Sequence, residues 1–262
     1  MSARTGNTTV GGADRATGVS ISSTESDTTT GSNGQVRGMA DDQRNARIFG
    51  VLFIITFLTS IPAVLLFQAV TDDPAGYIAG AGKDNQIYFG AFLEFFLVLS
   101  NVGTAVALYP VARRQNETLA IGFVGARIIE SVFIATGIMF VLGVVTLRHD
   151  APDAAGAAIA LGGMKEWSFL FGPGLVVPIG NGLILGYLMY RSGLVPRRMA
   201  WFGLIGGPLL FITNLGVLFD WWGNELPQSL LVAPEFIWEA FIGIYCAIWG
   251  FRRDSPILSR QP

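Results

Sequence analysis

The sequence predicts an all-α integral membrane protein. It is a bundle of six transmembrane helices, with the N-terminus and C-terminus cytoplasmic, preceded by a disordered tail. Three observations predict this. Of 262 residues, 51% are hydrophobic and only 14% charged, against about 25% charged in soluble domains. The apolar residues arrive in long runs, each able to cross about 30 Å of hydrocarbon at about 1.5 Å per residue. Between the runs lie short polar links whose basic residues fall mostly on one side.

Residues 1–43 are of a different material. The run "TGVSISSTESDTTTGSNGQ" is Ser, Thr, Gly, Asn and Asp, with almost nothing to bury. Such a segment cannot offset its ordering entropy and is expected to be disordered. It has no apolar core of the length a signal peptide needs.

The membrane domain is expected at 44–252, with spans at about 46–70, 87–112, 119–147, 165–190, 199–219 and 229–251. The links fall at 71–86, 113–118, 148–164, 191–198 and 220–228, and a short tail follows at 253–262. The placement of Lys and Arg sets the orientation. With the N-terminus inside, the inner side holds Arg4, Arg15, Arg37, Arg44, Arg47, Arg113, Arg114, Arg191, Arg197, Arg198, Arg252, Arg253 and Arg260. The outer side holds Lys83, Arg148 and Lys165, and Arg127 is left within the membrane. Trp167, Trp201, Trp221, Trp222 and Trp249 fall near span ends, where interfacial anchors belong. The expected location is the cell (plasma) membrane, and the expected partner is the lipid bilayer.

Composition excludes several chemistries. One Cys (Cys246) and one His (His149) allow no internal disulfide and no zinc, haem or iron–sulfur site built from His and Cys. A formal net charge of -2 gives no reason to expect nucleic acid. "GAGKDNQ" at 80–86 lacks the spacing of a phosphate loop, and no GxSxG, HExxH or dinucleotide fingerprint is present. No cofactor or metal is expected. The one enzymatic route left open is acid–base chemistry by paired Glu residues.

Polar residues inside the spans are the sharpest signal. Arg127 and Glu130 stand at i, i+3 on one face of the third span, about 12 Å and 17 Å above its inner edge. On the antiparallel second span, Glu94 comes level with Glu130 and Asn101 with Arg127. Glu235 and Glu239 share a face of the sixth span, and Lys165 and Glu166 open the fourth near the outer surface. Charges at membrane depth cost at least about 2.5–3.5 kcal/mol each and face the bundle interior or water. They are therefore expected to converge. The fourth span also carries Gly172, Pro173, Gly174 and Pro178, which fit either a broken helix with exposed backbone carbonyls or a kink and close packing alone. Gly182 and Gly186 form a small-xxx-small pair suited to close helix packing.

Two functions fit this pattern. In one, the polar cluster lines a cavity for a small molecule, a cation or a proton. In the other, the chain is a non-transport structural or signalling membrane protein in which the buried charges only hold the bundle together. Oligomeric state is not encoded in the pattern.

The order "RIFGVLFIITFLTSIPAVLL", "GAFLEFFLVLSNVGTAVALYPVARRQNETLAIGFVGARIIESVF", "KEWSFLFGPG" and "YLMYRSGLVPRRMAWFGLIGG" resembles a prokaryotic family of integral membrane proteins, domain of unknown function 4386. The resemblance covers about 44–252 and leaves the first 43 residues outside. It implies a multi-span membrane protein with no established activity. By motif position it points to Glu94, Arg127, Glu130 and Glu166, and it supplies no substrate.

Overall fold

Long apolar runs in lipid must satisfy every backbone polar group internally, and helices do so within one segment. The computed structural model describes residues 25–80, 83–221 and 226–259, with side chains described for 37–80, 83–221 and 230–259. Its elements are α1 (Glu25–Thr71), α2 (Pro74–Ala79), α3 (Asp84–Ala112), α4 (Glu117–Asp150) and α5 (Ala155–Phe169). Two π-helical stretches follow, Leu170–Val176 and Pro178–Leu185. Then come α6 (Gly186–Ser192), α7 (Arg197–Leu218), α8 (Leu226–Trp249) and α9 (Pro256–Ser259). Among the described residues, six helical segments are long and apolar enough to cross a membrane: Arg37–Thr71, Asp84–Ala112, Glu117–Asp150, Ala155–Ser192, Arg197–Leu218 and Leu230–Trp249.

The chain divides into Met1–Arg37 and Gly38–Pro262, and the second unit carries the bundle. Residues 1–24 of the expected tail lie outside the described residues. The helix of α1 begins at Glu25, inside the stretch expected to be tail. Asp42 and Gln43 are held by contacts that sequence composition does not reveal. Asp42 is buried and paired with Arg114 of the α3–α4 turn. Gln43 donates through Nε2 to the carbonyl of Phe251 at 2.7 Å.

The short connections are built by local chemistry. Asp73 caps α2, accepting from the Gly76 N–H at 2.9 Å, and Pro74 opens the helix. Asn116 caps α4 through the Leu119 N–H at 3.0 Å. Gly193, at φ 67°, ends α6 in the left-handed region. At one end of the bundle, Arg252 N–H donates to Leu194 O at 2.9 Å and the Ser255 hydroxyl to Ser192 O at 2.8 Å. At the other end, Asp84 gathers Arg148, His149 and the Tyr77 hydroxyl, the last at 2.5 Å. Burial, with the Asp84 carboxylate beside it, pushes the Tyr77 phenol above its ordinary range.

Two expectations about the fourth span are corrected. It starts at Ala155, not near 165, so the expected link 148–164 is mostly helix. The run "AGAAIALGGM" looks like a loop because it is small and Gly-rich. Small residues instead let neighbours close in, and α2 packs directly on α5. The chain around Gly172, Pro173, Gly174 and Pro178 is not broken either. It stays helical in π-helical turns, with Val177 between them in ordinary helical geometry (φ -56°, ψ -46°). Wider winding accommodates prolines that an α-helix would meet as a lost donor and a clash.

The interior is layered. One apolar cluster includes Phe49, Phe53, Leu108, Phe123, Leu188, Trp238 and Cys246. A second includes Phe67, Val70, Ile87, Val141, Val144 and Ala158. On α3 and α4 the buried polar residues fall between these two layers in the sequence of each helix. Lipid offers no hydrophobic drive between helices, so close packing carries their association. The tightest crossing seats Gly50 of α1 on α8, where an added Cβ would lie 2.2 Å from Ala247 N and 2.7 Å from Gly243 O.

Gly50→Ala therefore forces backbone apart and is expected to destabilise by about 1–3 kcal/mol. It should lower folded yield and thermal unfolding temperature in detergent. Gly125→Ala, whose added Cβ meets nothing within 4 Å, should leave both unchanged.

Candidate functional site

The polar core begins with α3 and α4, which pack against each other along their length. The antiparallel register brings Asn101 level with the Arg127–Glu130 turn. Arg127 Nη1 donates to Glu130 Oε2 at 2.7 Å, Arg127 Nη2 donates to Asn101 Oδ1, and Asn101 Nδ2 donates to Glu130 Oε1 at 3.0 Å. The three side chains close a ring across the two helices, and all three are buried. The guanidinium also lies over the Phe53 ring of α1, 5.4 Å from its centroid.

Glu94 is the correction here. It does not face Glu130. Its two carboxylate oxygens each accept from Lys165 Nζ at 2.7 Å. Lys165, expected near the outer surface, is buried at 6% exposure and sits 4.8 Å from the Phe67 ring centroid. Its burial follows from the early start of α5, which places it about 15 Å into the span rather than at its edge. Gly137 makes room for it: an added Cβ there would lie 3.1 Å from Lys165 Nζ.

The third group comes from α8 and the π-wound stretch. Asn181 Nδ2 donates to Glu239 Oε1 at 2.5 Å, and the Trp238 indole donates to the Asn181 carbonyl at 2.9 Å. Asn181 Oδ1 and both carboxylate oxygens of Glu235 are buried without a partner. Glu235 occupies a slot between glycines: an added Cβ on Gly182 or Gly206 would lie 3.0 Å or 2.9 Å from its Oε2.

These groups surround a cavity of about 410 Å³. Glu94, Asn101, Arg127, Glu130 and Glu239 line it, and so do Lys165 and Asn181. Much of the rest of its wall is apolar, with Phe53, Phe57, Phe169 and Phe236 among its residues. A second cavity of about 550 Å³ shares Val64, Lys165, Phe169 and Asn214 with the first and runs toward Thr71 and Asp72 at the end of α1.

Not every expected residue joins the cavity. Glu166 is exposed and lines the second cavity only. Glu235 is buried at 1% exposure but is not among the cavity-lining residues. Pro173 and Gly174 line the wall, whereas Gly172 packs on Phe133 and Pro178 is buried against α7. Asn181 was missed by sequence reasoning, although an amide within an apolar span carries the same signal as Asn101. Among the described residues no group of three His, Cys, Asp or Glu side chains could hold a metal ion.

Six apolar helices around a layer of ion-paired residues define a multi-pass membrane protein with a charged interior. The family described as Domain of unknown function (DUF4386) matches residues 48–250, and the chain belongs to it. No curated protein and no solved structure matches the chain.

A buried ion pair with both partners present is close to neutral in net stability, but loss of one partner costs about 3–5 kcal/mol. Lys165→Met should therefore sharply reduce folded yield by leaving Glu94 unpaired. The double variant Glu94→Leu, Lys165→Met should recover most of it, read by size-exclusion profile and unfolding temperature.

Proposed function

We propose that the protein lies in the plasma membrane with both termini cytoplasmic and takes a small molecule, ion or proton into the intramembrane cavity. The observation that carries this reading is the cavity itself. At about 410 Å³ it falls in the range of about 300–1,000 Å³ typical of ligand sites, and it combines apolar walls with a few placed polar groups. A bundle that needed charges only as glue would close over them. The second cavity supports access from the end of the bundle where α1 terminates.

The rival reading, charges as structural glue, draws on the closure of the Asn101–Arg127–Glu130 ring and the Glu94–Lys165 pair. The double variant Arg127→Met, Glu130→Leu separates the two. It should fold about as well as the wild type, because both charges leave together. On the cavity reading it loses solute-induced thermal stabilisation and solute or proton flux in liposomes. Unchanged binding and flux in the folded double variant would favour glue. Wild-type protein showing neither binding nor flux across a broad panel of solutes and cations would overturn the cavity reading.

Orientation rests on the asymmetry of Lys and Arg and is tested separately. The native Cys246 is buried, so labelling reports added cysteines. Asp153→Cys, in an exposed loop, should react with a membrane-impermeant maleimide on intact cells. Arg198→Cys should react only after permeabilisation.

A further inference from the structure

We propose that the cavity selects a lipophilic organic cation, and that Glu239 is the residue that meets its charge. This rests on the cavity reading above and names its substrate class.

The first argument is charge. The two basic side chains lining the cavity are already answered: Arg127 by Glu130 and Lys165 by Glu94. Glu239 is left over. Among the described residues it has one hydrogen bond, from the Asn181 amide, and no ion pair. Arg127 of α4 acts on it through space, but that charge is already bound by Glu130; α1 carries no ionisable residue from Ile48 to Thr71 and α7 none from Met199 to Leu218. Beside it, Asn181 is 1% exposed, lines the cavity, and has a buried Oδ1 without a donor. Both oxygens of Glu235, one helical turn away on α8, also lack donors. Glu235 stands behind the cavity wall; of the cavity-lining residues, Asn181 Oδ1 is a buried acceptor and Arg127 Nε a buried donor without a partner among the described residues. The approach through the second cavity adds the exposed carboxylates of Asp72 and Glu166. A cleft lined by one sign of charge with low-dielectric walls concentrates the opposite sign. An anion would find Arg127 and Lys165 each bound to a carboxylate, and Glu239, Asp72 and Glu166 without an ion pair among the described residues.

The second argument is the wall. Phe53, Phe57, Phe169 and Phe236 line the cavity, and aromatic faces attract cations, most strongly when desolvated. The protein already uses its rings in this way, with Arg127 over Phe53 and Lys165 over Phe67.

The third argument is access. Ile61, Val64, Phe169 and Phe236 line the cavity, yet are 47%, 45%, 49% and 50% exposed on the flank of the bundle. All four lie well inside spanning segments. A solute that partitions into the bilayer meets these side chains directly, which favours an apolar body carrying the charge.

The test uses the full chain in nanodiscs and two probes of matched size and shape but opposite charge, tetraphenylphosphonium and tetraphenylborate, each referenced to empty nanodiscs. Tetraphenylphosphonium should raise the unfolding temperature and bind with a Kd at least tenfold below that of tetraphenylborate. Glu239→Gln should weaken phosphonium binding at least tenfold while keeping the size-exclusion profile of the wild type. Should that variant fail to fold, Phe236→Leu, at a half-exposed position, should weaken phosphonium binding severalfold. Borate binding as tight as phosphonium binding overturns the inference, as does unchanged phosphonium affinity in a folded variant. If the solute panel yields only neutral or anionic binders, the cation assignment fails and the cavity reading stands. If nothing binds, both fail.

Discussion

The cost of holding charge in hydrocarbon organises this protein. Arg127 and Lys165 cannot be left alone at mid-span, and each is answered by a carboxylate and an aromatic face. Those answers come from other helices. The Arg127 ring ties α3 to α4 and reaches Phe53 of α1, while the Lys165 pair ties α3 to α5 and reaches Phe67 of α1. Satisfying two charges thus fixes the mutual register of four helices. The apolar clusters on either side then need only close packing, which is what lipid leaves available. The ends of the bundle repeat the pattern at the water interface, with Asp42–Arg114 at one and Asp84–Arg148 at the other.

The same constraint separates two kinds of acid. Glu94 and Glu130 are locked to bases and serve the frame of the bundle. Glu239 is held by a single amide, and Glu235 by nothing polar among the described residues. A side chain bound by one hydrogen bond keeps freedom that a doubly bound one lacks. The unlocked acids sit on α8, which meets the π-wound stretch and α7 through glycine contacts and the hydrogen bonds of Asn181, with no ion pair among the described residues. Frame and variable part thus occupy different helices.

Much of this was legible in the sequence. Apolar run length and link position set the six spans, and the i, i+3 spacing of Arg127 and Glu130 with Asn101 at matching depth anticipated the ring. Lys165 was misplaced because small residues 155–164 were taken for a link; helix length there depends on what packs against alanine and glycine, which composition does not state. The pairing of Glu94 with Lys165 was hidden for the same reason. Asn181 carried a visible signal but was masked by the prolines around it. Those prolines left a break open, since sequence shows the lost donors but not the wider winding that absorbs them. The position of Glu166 outside the main cavity was not legible, because the facing of a side chain depends on where α5 starts and on what packs against it.

The π-wound stretch also governs phase. Lys165 and Asn181 are 16 residues apart, and at about 100° per residue a straight α-helix would point them about 160° from each other. Both nevertheless line one cavity. Each π turn takes up more chain than an α turn, so the stretch from Leu170 to Leu185 resets the azimuth of everything after it. Tightening this segment into an α-helix would swing Asn181, and with it the only polar partner of Glu239 among the described residues, without moving the Lys165 end at all. The winding works as a dial between the locked half of the cavity and the unlocked one.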